Sequence, residues 1–132
     1  MKLLRDVAIQ HLLTLEPHSS LRQAAKAMSG RGVGSAVVME RGDVGGIVTE
    51  RDLMHALASD LDPDDVKVVD VMTRDIVSGS PGWTILEAVK TMIDGGFRHL
   101  LVMEMDGPEG IVSLRDLMDS MAELIQEQDA SA

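Results

Sequence analysis

The chain has 132 residues, 45% of them hydrophobic, a length and apolar content that support one buried core of ordinary domain size. Twenty-two acidic residues against twelve basic ones give a formal net charge of -10, which opposes binding to nucleic acid or to an anionic membrane by electrostatics alone. No cysteine is present, so disulfides, thiolate nucleophiles and cysteine metal sites are excluded.

The opening Met1-Lys2-Leu3-Leu4-Arg5-Asp6 has no apolar signal core, and no apolar run nears the roughly 18 residues that span a bilayer. A soluble, cytoplasmic protein is expected. Leu12-Leu13-Thr14-Leu15 reads as a brief strand stopped by Pro17, and Ser20 with Gln23 forms a capping box that opens a helix. Leu21, Ala24, Ala25 and Met28 recur on that helix at one-face spacing, and Gly30 and Gly32 end it. Ser35 to Met39 is a buried central strand, Arg41-Gly42-Asp43 a turn, and Val44 to Val48 the returning strand of a hairpin. After Thr49 the spacing becomes helical, through Leu53 and Leu57.

Everything then happens a second time. Gly45-Gly46-Ile47-Val48-Thr49-Glu50-Arg51-Asp52-Leu53-Met54 returns as Glu109-Gly110-Ile111-Val112-Ser113-Leu114-Arg115-Asp116-Leu117-Met118, at a fixed offset of 64 that also carries Asp6 onto Asp70 and Pro17 onto Pro81. Ile76-Val77 is the copied first strand; Thr84 and Glu87 are the copied capping box, and Ile85, Ala88, Val89 and Met92 the copied stripe, ended by Gly95 and Gly96. His99 to Met103 and Glu109 to Val112 are the copied strands, with a helix through Leu114, Leu117, Met118, Met121 and Leu124. The reading is a first repeat over residues 1–60, an acidic linker over 61–69 with Asp62 capping a short helix begun by Pro63, a second repeat over 70–127, and a frayed tail over 128–132. The order strand-helix-strand-strand-helix, twice, makes this an α/β (α+β) chain forming one module.

That order and the doubled Gly-Ile-Val-Thr/Ser-x-x-Asp text resemble a tandem pair of cystathionine β-synthase (CBS) domains, a stand-alone Bateman module, over roughly residues 5 to 126. The resemblance implies two repeats packed through their sheets with pseudo-twofold symmetry. It implies two clefts that take adenosine-containing ligands such as AMP, ADP, ATP or S-adenosylmethionine, and a regulatory rather than enzymatic role. Carried onto this chain, it places Thr49 and Ser113 at the phosphate or ribose end and Asp52 and Asp116 on the ribose hydroxyls. Leu12, Leu13, Ile76 and Val77 fall beside the adenine, and Arg98 and His99 where a basic residue reaches phosphate.

The residues also support plainer roles. Thr49 with Asp52 and Ser113 with Asp116 are helix-start capping pairs, whose hydroxyls stand beside free amides where the helix dipole favours an anion. Arg51 and Arg115, which precede the aspartates in both copies, join the ligand-binding candidates; in plainer roles Arg98 could be a strand-edge charge, His99 a hydrogen-bonded rim residue, and Arg51 and Arg115 partners of neighbouring acids. The counterparts of Arg98 and His99 are Gly34 and Ser35, so the two clefts are expected to be unequal, with room but no charge at Gly34. His11, His18, His55 and His99 lack metal-ligand spacing, and no nucleophile elbow or P-loop is present, so neither a metal nor a catalytic cofactor is expected. Trp83 staples the second helix start or faces a cleft. The wide apolar arcs of the helices after Thr49 and Ser113 predict a homodimer surface, the pairing mode that the resemblance also implies. A ligand-free dimerisation or scaffold module, with the boxes serving only as caps, is the alternative reading.

Overall fold

The structure, a computed structural model, describes residues 2–8 and 12–131, with side chains to residue 128. His11 therefore lies outside the described residues. In chain order the elements are α1 (Leu4–Val7), β1 (Thr14–Leu15), α2 (Leu21–Arg31), β2 (Ser35–Glu40), β3 (Asp43–Thr49) and α3 (Glu50–Ala58), then α4 (Val68–Val71), β4 (Ser78–Gly79), α5 (Ile85–Gly95), β5 (His99–Glu104), β6 (Gly107–Ser113) and α6 (Leu114–Ser131). Every element of the second set starts 64 positions after its counterpart, so the textual repeat is a structural one.

Each set builds a three-stranded sheet of order β1-β2-β3 or β4-β5-β6, the first pair parallel and the second an antiparallel hairpin. Even the irregularities repeat, with a register shift at Val38/Met39 and another at Val102/Met103. The first strands are shorter than the apolar text suggests and lie later. Pairing starts at Thr14↔Val37 and Ser78↔Leu101, so Leu12, Leu13, Ile76 and Val77 precede the strands rather than form them. The first hairpin turns through Arg41 and Gly42, both at positive φ, as a tight two-residue turn requires.

Ser20 and Thr84 cap α2 and α5 with closed capping boxes, as the text requires. Gly32 and Gly96, at φ 65° and 72°, supply the left-handed exits, whereas Gly30 and Gly95 still belong to the helices. The buried stripe of α2 is Leu21, Ala24 and Met28; Ala25 faces solvent, because the arc that packs is narrower than the four positions expected. No helix starts at Pro63. Asp62 instead closes a turn, its carboxylate accepting from the Asp64 amide at 2.9 Å and its carbonyl from the Val66 amide at 2.9 Å. The Arg22 guanidinium bonds Asp64 and holds that carboxyl below the usual carboxylate range.

Packing cuts across the repeats. One unit is Leu12–Ile76; the other joins Met1–His11 to Val77–Ala132. The core of the first gathers Leu21, Ala24, Met28, Val38, Val48 and Ala56 around Val68 of α4. The core of the second gathers Ile85, Ala88, Met92, Leu100, Val102, Val112 and Leu117 around Leu4 of α1. Each four-residue helix heads one repeat and completes the core that the other repeat supplies. Main-chain bonds fix both: Val68 donates to Ser19 at 2.8 Å, and Leu4 to Trp83 at 2.8 Å. Trp83 is half-buried against the Leu4 cluster and its ring lies over Gly79, so it staples the start of α5.

The two hairpins differ in one charge arrangement. In the first, Glu40 leans over Gly45 and its carboxylate is bonded by Arg74 at 2.8 Å. In the second, the counterpart of Gly45 is Glu109, which lies beside the Glu104 carboxylate and keeps its Oε2 buried without a partner. Loss of water, then the neighbouring Glu104 carboxylate, raises the Glu109 carboxyl above the usual glutamate range, partly offset by Arg5. A raised folded value means that the native state holds this proton more tightly. Stability from this group is therefore greatest below the ordinary glutamate value and falls as pH rises through the folded one. Thermal midpoints at pH 5 and pH 7 should accordingly differ less in Glu109→Gln than in the parent, with the variant gaining at pH 7.

Candidate functional site

The end of each sheet where β3 or β6 turns into a helix carries the repeated polar text. Thr49 closes the β2–β3 ladder opposite Ser35, and Ser113 closes the β5–β6 ladder opposite His99. The next residue starts the helix and is tied back to the strand entry, Glu50 donating to the Gly34 carbonyl at 2.9 Å and Leu114 to the Arg98 carbonyl at 2.8 Å. A strand therefore aims each hydroxyl and a main-chain bond fixes each helix start. Neither depends on side-chain packing.

Both boxes are closed. The Asp52 amide donates to Thr49 Oγ1 at 3.3 Å while the Thr49 amide donates to Asp52 Oδ2 at 2.8 Å. In the second unit both corresponding distances, Asp116 amide to Ser113 Oγ and Ser113 amide to Asp116 Oδ2, are 3.1 Å. All four side chains are half-buried, so water or a ligand still reaches them. Each box uses only part of its acceptor capacity: a carboxylate has two oxygens and a hydroxyl two lone pairs. What stays open is an anion-favouring helix start beside a carboxylate able to accept from a diol.

The approach to β1 reaches the same sheet end. Leu13 offers its carbonyl to the Val37 amide at 2.9 Å, so Leu12 and Leu13 run toward the end where Ser35 and Thr49 pair. Val77 does likewise, accepting from the Leu101 amide at 3.0 Å. Leu12, Leu13, Ile76 and Val77 are all half-buried. The unit Leu12–Ile76 thus groups Leu12, Leu13, Thr49, Arg51 and Asp52, and the other unit groups Val77, Arg98, His99, Ser113, Arg115 and Asp116. Ile76 falls in the first unit, where its amide donates to the Arg74 carbonyl at 2.9 Å. Arg51, Arg98 and Arg115 are exposed and His99 is half-buried.

Inequality between the two sheet ends is greater than Gly34 alone suggests. A side chain added at Gly34 would meet the Glu50 carboxylate at 3.2 Å, so an acid fills the space at the position that corresponds to Arg98 in the repeat. The counterpart of Glu50 is Leu114. One end therefore has glycine with glutamate where the other has arginine with leucine, so the first carries more negative charge than the second. The alignment at offset 64 contains this swap; what it lacks is the fold of the Glu50 side chain back over Gly34. Among the described residues no group of three or more His, Cys, Asp or Glu could hold a metal ion.

The CBS domain family model matches residues 4–59 and 68–123, and the chain belongs to that family, as a tandem pair. CBS domains bind ligands and regulate; they are not catalysts. An uncharacterized 17.7 kDa protein of Acidianus ambivalens is 34% identical over 121 residues, 90% of this chain and 73% of that relative. The chain spans 59% and 41% of the length of two other relatives, from Methanopyrus kandleri and Methanocaldococcus jannaschii. Among solved structures, an uncharacterized conserved protein of Pyrococcus horikoshii superposes with a TM-score of 0.81 at 27% identity, covering 90% of this chain and 91% of that one. A CBS domain pair solved with 5′-methylthioadenosine and S-adenosyl-L-methionine shares the fold, with a TM-score of 0.82 at 19% identity over 93% of this chain and 98% of that one.

Proposed function

We propose that this module senses an adenosine-containing small molecule, one of AMP, ADP, ATP or S-adenosylmethionine, and answers with a change of shape or of partner affinity. The observation that carries the reading is the hydroxyl–carboxylate box placed at the same sheet end in both units, beside an apolar strand approach. Thr49 and Ser113 stand where a phosphate or ribose oxygen would be held at a helix start, and Asp52 and Asp116 where a ribose diol would donate. Arg98, with His99 next to it, makes the Ser113 end the stronger phosphate site. The fold is one that, in the pair solved with two adenosyl compounds, holds such ligands. No described helix is long and apolar enough to cross a membrane, and a cytoplasmic setting, where these nucleotides are abundant, fits the reading.

The thermal midpoint of the purified protein, alone and with millimolar AMP, ADP, ATP, NAD or S-adenosylmethionine, tests it. A ligand at a hundred times its dissociation constant adds about 2.7 kcal/mol, which moves a chain this size by several degrees. A selective rise with one or two adenosine compounds is expected. A flat response to all five, in folded and ligand-free protein, would leave the scaffold reading. The closed state of both boxes favours that second reading, since each already satisfies its own helix.

The module acts as a homodimer through α3 and α6. Met54, Leu57 and Leu61 on and after α3, and Met118 and Ile125 on α6, are all exposed, apolar surface that a second copy would cover.

A further inference from the structure

The two sheet ends carry the same box with different charge beside it. Arg51 and Arg115 repeat, as do Asp52 and Asp116, so they cancel in a comparison of the ends. Passing from the first end to the second removes a negative charge, Glu50 giving way to Leu114, and adds a positive one, Gly34 giving way to Arg98. Farther out the sense reverses: Arg31 ends α2 and Asp94 lies near the end of α5, each where the other copy has glycine. Both stand on their helices, before the left-handed exits at Gly32 and Gly96, and Arg31 is already engaged, as is His99 at the position of Ser35. The inequality is therefore local to the strand entry. It acts on what rests there more than on what approaches through solution.

Glu50 is exposed and opens α3, yet its carboxylate lies over Gly34, with Oε1 3.2 Å and Oε2 3.6 Å from where a side chain at 34 would begin. Its amide donates to the Gly34 carbonyl at 2.9 Å, which fixes the backbone there as well. In the other unit the corresponding amide, of Leu114, donates to the Arg98 carbonyl, and no acid accompanies it.

We propose that the two ends take different adenosyl ligands: the Thr49–Asp52 end one with a cationic 5′ substituent, the sulfonium of S-adenosylmethionine, and the Ser113–Asp116 end one with a 5′ phosphate. Glu50 is the residue that makes the distinction. The proposal rests on the ligand reading given above and divides its candidates between the ends. With adenine along the Leu12 and Leu13 approach and the ribose diol on Asp52, the 5′ substituent runs toward the Thr49 hydroxyl and the strand entry, where it meets the Glu50 carboxylate. That carboxylate repels a phosphate and attracts a sulfonium, and specificity is the difference between the two affinities.

Titration calorimetry on Asp116→Ala reads the first end alone. The probes are S-adenosylmethionine, AMP, and S-adenosylhomocysteine, which lacks the methyl group that makes the sulfur cationic. S-adenosylmethionine should bind tightest of the three. Adding Glu50→Gln, which keeps the shape and removes the charge, should weaken it by roughly two- to fivefold, strengthen AMP by a similar factor and leave S-adenosylhomocysteine unchanged, the scale of one exposed charge pair. In the unmodified chain, saturating AMP should still leave S-adenosylmethionine able to bind. Full competition between those two, or ligand ratios that Glu50→Gln does not alter, would overturn the division while the sensor reading stands. An unmodified chain that binds none of the three removes the sensor reading and the division with it.

Discussion

Alanine at both Asp52 and Asp116 should abolish the ligand-induced rise in thermal midpoint while leaving a folded protein. As helix-start partners, the two aspartates each contribute about 0.5–1 kcal/mol, through the bonds to the Thr49 and Ser113 amides. Together that loss lowers the midpoint by roughly 4–7 °C and leaves a cooperative transition. A ribose diol that donates to the same carboxylates would lose its acceptor altogether. The two consequences separate cleanly, because one is read without ligand and the other as the difference with and without it. A double variant that still answers to nucleotide would remove these aspartates from the site and shift the weight to Arg98 and the strand approach. The single variants add a direction: Asp116→Ala should remove more of a phosphate-dependent response than Asp52→Ala, since Arg98 belongs to the Asp116 unit and Glu50 to the other.

Leu4→Ala should destabilise the protein by about 2–5 kcal/mol, the range for truncating a fully buried leucine. That is a large effect from a helix of four residues near one end of the chain. It follows from the Leu4 side chain's place among Ile85, Met92, Leu100 and Leu117, where its loss leaves a cavity that rigid neighbours fill only in part. Trp83, whose carbonyl accepts the Leu4 amide, is the only tryptophan and reports the change directly. Its fluorescence transition should move to lower temperature or denaturant. Leu57→Ala, at an exposed position, should move it by no more than about 0.5 kcal/mol in a dilute monomer. Equal shifts in the two variants would contradict the packing of α1 into this core.

The repeat, the order of elements, both capping-box helix starts and the hairpins were legible in the text, because capping and turn chemistry act between residues close in sequence. The carboxylate boxes of the site were legible for the same reason: Thr49 with Asp52 and Ser113 with Asp116 are three residues apart. Contacts between distant segments were not. The four-residue helices at Leu4 and Val68 have no periodic pattern to announce them, and nothing in the text says which copy of the repeat receives their side chains. The first strands were misplaced by two residues because apolar character marks burial, while pairing is decided by the partner strand, which begins to bond at Thr14 and Ser78. Spacing alone puts Ala25 on the stripe, whereas the width of a packed arc is set by the neighbour rather than by the helix. Asp62 and Pro63 carry good helix-start chemistry, yet the bond from Arg22 to Asp64 and the turn at Asp62 hold the linker in a tighter form.

The way the two units divide the chain also sets an order of events during synthesis. Leu12–Ile76 is continuous, so its core can close as soon as Ile76 has left the ribosome. The other unit is not continuous, and α1 is made well before the segment it packs against. Until Leu117 of α6 is made, the Leu4 side chain has no complete core to enter. A chain made only through Ile76 therefore holds one closed core together with a short helix whose single buried residue, Leu4, still lacks its neighbours.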